Sequence, residues 1–187
     1  MAIKTFVQRT SLSSSDINTY CYNNGLKFLD WQSVNGTANF VRSDVFTTEF
    51  DSYRIIVDNF KPTTNGDPLY LRMRTSGGTY SGNTYSHALH GITFSSFSVT
   101  NGGASNINVF YVTVGSSAGT VGATIELNNV RSSGKPTASW ITVNANNGNN
   151  NVGSGIVNNT ADYTGIELST YNSVMTCNMT IYGYRKA

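Results

Sequence analysis

Charge is what this sequence has least of. Only 12% of its 187 residues are Asp, Glu, Lys or Arg, about half the share of an ordinary soluble domain. The exposed faces of helices are normally built from Glu and Lys, so the deficit argues against a helical body. Net charge is +2, and the basic residues are scattered. No cationic stripe follows a phosphate backbone, which sets nucleic-acid binding aside. No apolar run reaches the length of a membrane-spanning helix. The opening residues, MAIKTFVQRTSLSSSD, lack the apolar centre of a signal peptide, giving an expectation of synthesis and retention in the cytosol. Cysteine is scarce as well. Cys21 and Cys177 lie far apart and are expected as buried thiols rather than as a disulfide.

Asn, Ser, Thr and Gly fill the gap left by charge, a composition that favours strands, turns and hydroxyl-rich surfaces. An aromatic share of 12% speaks against intrinsic disorder. A chain of 187 residues reads as one domain with a short appendage, able to bury about 70% of its unfolded surface without staples.

The organising stretch runs from Ser52 to Thr75: SYRIIVDNF, KPTTNGDP, LYLRMRT. In its second half Leu69, Leu71 and Met73 alternate with Tyr70, Arg72 and Arg74, the period of a half-buried strand. In its first half Tyr53, Ile55 and Val57 share one face, with Ile56 and Phe60 on the other, as in a strand covered on both sides. The pair reads as a central hairpin. One helix is expected, from Leu12 to Gly25, capped by Ser13 and Asp16 and stapled by Leu12 and Ile17. Strands are then expected at LKFLDW, around Phe40, over Val45 to Phe50, at Ile92 to Val99, Ile107 to Val114, Gly122 to Asn128, around Trp140, at Ile156 and Ile166, and over Cys177 to Tyr184. The segment 76–91, the run TNGGASN and the tract NANNGNNN (Asn144 to Asn151) read as loops. No fixed repeat is visible, against a β-helix or a propeller. The expected fold is an all-β antiparallel sandwich, jelly-roll-like, over residues 26–187, preceded by a helix-containing arm over residues 1–25.

Chemistry-bearing motifs are few. Gly115-Ser116-Ser117-Ala118-Gly119 has the G-x-S-x-G spacing of a nucleophile elbow. A strand rather than a helix follows it, and both histidines precede it, so it reads as a turn. His87 and His90 stand three apart, with both cysteines remote, and form no zinc set. They read as contact residues that tune an interaction at mildly acidic pH. Glu49 and Asp51 share the spacing of two carboxylates on one strand face, the pairing glycosidases use, yet nothing nearby suggests the apolar pocket such chemistry needs, and they read as a solvated strand end. Three Asn-x-Thr sequons, at Asn35, Asn158 and Asn178, are expected by chance in a chain so rich in both residues. Tyr80, Tyr85, His87 and His90, with Trp31 and Trp140, could supply a flat sugar-binding platform, but the favoured reading puts both tryptophans in the core and the tyrosines at a subunit interface. No catalytic residue, metal or cofactor is assigned.

Three segments together resemble a known family: the opening IKTFVQRTSLSSSDINTYCYNNGL, the pair FDSYRIIVDNF and LYLRMRTSGGTY, and the tail with DYTGIEL and MTIYGYRKA. They are similar to small virion structural proteins of tailed bacteriophages, described as tail-fibre, baseplate-associated or capsid-decorating proteins. The resemblance implies a non-enzymatic particle component made in the host cytoplasm and residing in the virion. It implies an N-terminal anchor, an outward-facing β-sandwich, other virion proteins as partners and a homotrimer. Phe6, Leu12, Ile17 and Tyr20 are the expected attachment contacts. Tyr80, Tyr85, His87 and His90 are the expected distal contacts. The alternative class is a receptor-binding adhesin recognising a host glycan, and a depolymerising enzyme using Glu49 and Asp51 ranks third.

Overall fold

A computed structural model describes residues 25–93, 98–131, 133–145 and 149–185. The expected helix between Leu12 and Gly25, the attachment residues Phe6, Leu12, Ile17 and Tyr20, and Cys21 therefore lie outside the described residues. Thirteen strands, and no helix, occur among the residues described. They are β1 (Leu26–Thr37), β2 (Asn39–Arg42), β3 (Phe50–Pro62), β4 (Pro68–Thr75), β5 (Gly78–Thr79), β6 (Tyr85–Thr93) and β7 (Ser98–Ile107), followed by β8 (Phe110–Val114), β9 (Val121–Asn128), β10 (Thr137–Asn144), β11 (Asn149–Val157), β12 (Tyr163–Ser169) and β13 (Met175–Arg185).

They form two antiparallel sheets. The larger has eight strands in the order β1-β13-β3-β9-β10-β11-β6-β7. The smaller has β2, β12 and β4 in turn, and the remaining edge of β4 is shared by β5 at one end and β8 at the other. The inward faces of both meet in one core, with Tyr53, Ile55, Val57, Ile125, Met179 and Ile181 from the larger sheet and Leu69, Leu71, Met73, Phe110, Ile166 and Leu168 from the smaller. The molecule is an antiparallel β-sandwich.

The expected central hairpin does not form. β3 lies in the larger sheet between β13 and β9, while β4 lies in the smaller between β12 and β8. The connection between them crosses from one sheet to the other. Buried Asp67 fixes this crossing by accepting hydrogen bonds from the backbone N–H groups of Tyr171 (3.1 Å) and Asn172 (3.1 and 3.3 Å).

Nor is β3 covered on both sides along a single alternation. Its register against β9 shifts between Val57 and Phe60, and Asn59 takes φ 56°. This bulge adds one residue, so Phe60 and Pro62 return to the same buried side as Tyr53, Ile55 and Val57. Of the strand expected over Val45 to Phe50, only Phe50 joins a sheet. Val45 and Phe46 are buried from a loop that Tyr53 clamps, its hydroxyl accepting from Thr47 N–H (2.9 Å) and donating to Thr47 C=O (2.9 Å).

Three segments expected as loops contain strands. Most of the segment 76–91 is used by β5 and β6, the run TNGGASN lies within β7, and the Asn-rich tract leads into β11. The last case has a clear physical reason. Gly153 lies opposite Trp140 in the β10–β11 ladder, and a Cβ on it would fall 2.3–2.4 Å from the indole ring. A Cβ on Gly155 would fall 2.6 Å from the Phe110 ring. These inward positions of β11 are empty because neighbouring aromatic rings occupy the space, an arrangement that protects strand glycines.

Cys177 is a buried free thiol, and burial pushes its pKa up to about 11. Trp140 is buried as expected, whereas Trp31 stands on the outer face of β1, 54% exposed.

The Gly153–Trp140 fit gives a direct test. Gly153→Ala is expected to destabilise the fold by about 1–3 kcal/mol through overpacking, read as a lower urea midpoint. Gly122→Ala, where an added Cβ meets nothing within 4 Å, is expected to leave the midpoint in place. Equal midpoints for the two variants would contradict this account of β11.

Candidate functional site: an aromatic cleft and an outward apolar face

The larger sheet is wider than the smaller one, and the mismatch creates a cleft. β8 is the last strand of the smaller sheet on its side, whereas β6 and β7 carry the larger sheet on to its edge. Where β8 ends over this shelf there is a concavity of about 500 Å³. Tyr70 and Tyr111, paired across the β4–β8 ladder, form one wall. His87 and Leu89 of β6 and Gly102 to Ala104 of β7 form the floor, and Ile107 to Val109 close one end.

The alternation of β6 decides which side chains reach this cleft. Tyr85, His87 and Leu89 fall on the inward side, while Ser86, Ala88, His90 and Ile92 face out. His87 and His90, three apart, thus lie on opposite faces of one sheet. Among the described residues no three His, Cys, Asp or Glu side chains gather as a metal set.

Tyr85 is not a distal contact residue. It is fully buried, its hydroxyl accepting from Met73 N–H (2.9 Å) and donating to Tyr80 C=O (3.1 Å). Burial raises its pKa well above the ordinary tyrosine value. Tyr80 is half-buried against Tyr163, with rings 5.6 Å apart, and its hydroxyl accepts from Asn159 Nδ2 (2.6 Å). Of the four expected distal residues, only His87 lines the cleft. The sequence reading missed Tyr70 and Tyr111, because nothing in the chain before folding brings β4 beside β8.

These residues belong to a continuous series of ring contacts. Tyr163 touches Tyr80, Tyr80 touches Tyr85, and Tyr85 meets Phe110 edge-on at 4.9 Å. Phe110 meets Trp140, Trp140 meets His87, His87 lies near-parallel to Tyr111 (6.4 Å, 19°), and Tyr111 meets Tyr70 edge-on at 5.9 Å. The series leads from the core to the surface, and each pair adds a geometric preference to its buried area. The cleft walls are therefore held by the core itself.

Electrostatically the cleft is quiet. Among the described residues its lining contains no Asp, Glu, Lys or Arg. Arg72, two residues from Tyr70, is already engaged by Glu167 (2.7 Å) and the Asn108 carbonyl (3.3 Å). Burial raises the Tyr111 pKa and lowers that of His87. The two carboxylates weighed as a glycosidase pair do not face each other on a strand. Glu49 sits in the turn before β3 and pairs with Lys27 (3.1 Å), while Asp51 is the second residue of β3. Gly115 to Gly119 is the connection between β8 and β9, with no helix after it.

No family model matches the chain, and no curated protein matches it. Among solved structures it is similar to galectin LEC-6 of Caenorhabditis elegans, at 13% identity over 85% of this chain and 96% of that one, with a TM-score of 0.34.

The second candidate surface is the outer face of the larger sheet. Register places Trp31, Thr180, Ile56, Thr124, Ile141, Val152, His90 and Asn101 in one row across all eight strands. The next row contains Val143, Asn150, Ile92 and Val99. Trp31, Ile92, Val99, Ile141, Val143 and Val152 are each 41% to 61% exposed, and the five aliphatic residues lie in two adjacent rows. On the other side of the first row, Ser139, Ser154, Ala88 and Gly103 line part of a shallow open groove of about 840 Å³.

His87 also sets a pH dependence. Its folded-state pKa lies below the ordinary 6.5 because burial disfavours the charged ring. As pH falls, the unfolded chain protonates at this residue first, so its contribution to stability is complete above about pH 6.5 and declines as pH drops towards the folded value. The parent is expected to lose urea resistance between about pH 7 and about pH 5, and His87→Gln to lose less over the same window. Identical pH profiles would rule out His87 as a source of the effect.

Proposed function

We propose that this chain is a non-enzymatic structural module of a tailed-bacteriophage particle, serving as a fibre or decoration component. It is made in the host cytoplasm and resides in the virion. Residues 1–25 anchor it, through Phe6, Leu12, Ile17 and Tyr20, to other virion proteins. The sandwich, jelly-roll-like in its long crossovers, projects outwards. The observation that carries the reading is the exposed aliphatic surface formed by Ile141, Val152, Val143, Ile92 and Val99. Contiguous apolar surface of this kind is a feature of association sites, and solitary soluble domains keep such patches small. A second copy of the same chain is the occupant proposed for it, within a homotrimer. The two rows hold no charged side chain between β9 and β7, so self-association there sets no like charges against each other.

Charge use supports a structural role as well. Arg54 pairs with Glu126 (2.6 Å) across β3 and β9, and Arg72 pairs with Glu167 (2.7 Å) across β4 and β12. Arg42 of the smaller sheet pairs with Asp30 of the larger. Charged side chains in these positions connect strands and sheets.

Two measurements test the proposal. Sedimentation velocity of the parent is expected to give a trimer, and the Ile141→Lys, Val152→Lys double variant a folded monomer. A monomeric parent would overturn the assembly assignment. Electron microscopy of phage particles with antibody against the chain is expected to show label at a fixed position on the virion, and unlabelled particles would overturn the particle role.

A further inference from the structure

We propose that the cleft at the β8 edge binds one uncharged pyranose unit of a glycan, laid against Tyr70 and Tyr111 with its hydroxyls directed to His87. The inference concerns a different face from the proposed subunit contact and does not depend on it. At about 500 Å³ the cleft is the size of a small-molecule site, which typically runs to roughly 300–1,000 Å³.

Its lining selects the chemical class. A pyranose has patches of C–H bonds on its ring faces and hydroxyls around its rim. Tyrosine rings offer flat apolar area with a polar tip, at low entropic cost. Here two such rings form one wall, and neither phenol has a protein hydrogen-bond partner among the described residues. Leu89, Ile107 and Val109 continue the apolar lining, and Gly102 leaves the floor without a side chain. A Cβ on Gly102 would already stand 3.3 Å from Leu89 Cδ1.

A second observation points independently to a ligand. The imidazole of His87 is held between Tyr111 and Trp140, and its Nδ1 is buried without a hydrogen-bond partner. Buried polar atoms are nearly always paired, so this orphan, on a residue that lines the cleft, is an unmet hydrogen-bonding group that a bound hydroxyl reaches by a turn of the ring. Among the described residues the lining carries no charged side chain, which favours an uncharged sugar over a sugar acid or a phosphorylated sugar, whose charge those residues would leave uncompensated.

The test is an amide NMR titration of the full-length protein with D-glucose, D-galactose and N-acetyl-D-glucosamine separately, with indole as a planar apolar comparison. At least one sugar is expected to shift the amides of Gly102, Gly103 and Asn108 and to leave those of Val143 and Val152 in place. Tyr70→Ala and His87→Ala are each expected to weaken that binding about tenfold. His90→Ala, on the opposite face of the same strand, is expected to leave it unchanged. Dispersed amide resonances of β1, β13 and β3, on the far side of the larger sheet, report that each variant is folded. No response to any of the three sugars would overturn the proposal, as would shifts confined to the outer face or a response to indole alone. Equal affinity in the parent and in both cleft variants would overturn it too.

Discussion

The dependence that runs through this molecule is a mismatch of width. A sheet of eight strands is packed against one of five, two of which share a single edge, so among the described residues part of the wide sheet has no layer above it. On the inward side, a sheet left uncovered must find another use for its apolar residues or present small ones. Both solutions appear. Leu89 and His87 line a cleft beneath the Tyr70–Tyr111 wall, and Gly102 and Ala104 reduce the shelf beyond them. The cleft is a consequence of where β8 stops.

Aromatic rings and glycines are distributed in complement across this boundary. Trp140 and Phe110 extend over β11, which answers with Gly153 and Gly155 at its inward positions. Phe50 packs over Gly183 of β13 in the same way, where a Cβ would come within 2.6 Å of the ring. Large rings deliver buried area to a chain with few long aliphatic stretches, and glycines supply the room. The ring series continues outwards through His87 to the cleft, so the surface residues there inherit their positions from the core.

What was legible in the sequence was the class of fold and the strands with strict alternation. Leu69-Leu71-Met73 and Cys177-Met179-Ile181 read directly as half-buried strands because every second side chain is apolar. The bulge at Asn59 was not legible, since its effect is to make Phe60 look as if it faces the wrong way. Of β11 only the end at Ile156 and Val157 was legible, because its earlier inward positions carry glycine, and the apolar groups that fill them belong to β10 and β8. The cleft was legible in one residue of four. His87 stands out for its chemistry, but its partners Tyr70 and Tyr111 are brought to it by sheet pairing over distances in sequence that periodicity does not report. Residue type alone places Trp31 in the core, and an edge strand puts it outside.

The edges of the larger sheet bear on the association proposed for its face. An exposed, flat and regular edge invites another strand to pair with it. β1, twelve residues long, is one such edge, yet its register against β13 is interrupted twice, between Phe28 and Asp30 and between Asn35 and Thr37. Its Asp30 turns towards the smaller sheet. Burial alone would raise the pKa of that carboxyl, but hydrogen bonds from Arg42 and Gln32 and the Arg42 charge outweigh it and hold the group ionised. A charge fixed inside an edge opposes strand addition, because an added strand would have to accommodate the irregular ladder and the ion pair together. The opposite edge, β7, is interrupted between Tyr85 and His87 in its pairing with β6 and carries Asn106 at φ 55°. With both edges irregular and the aliphatic rows of β10, β11, β6 and β7 left open, the surface best suited to a neighbour is the pleated face itself.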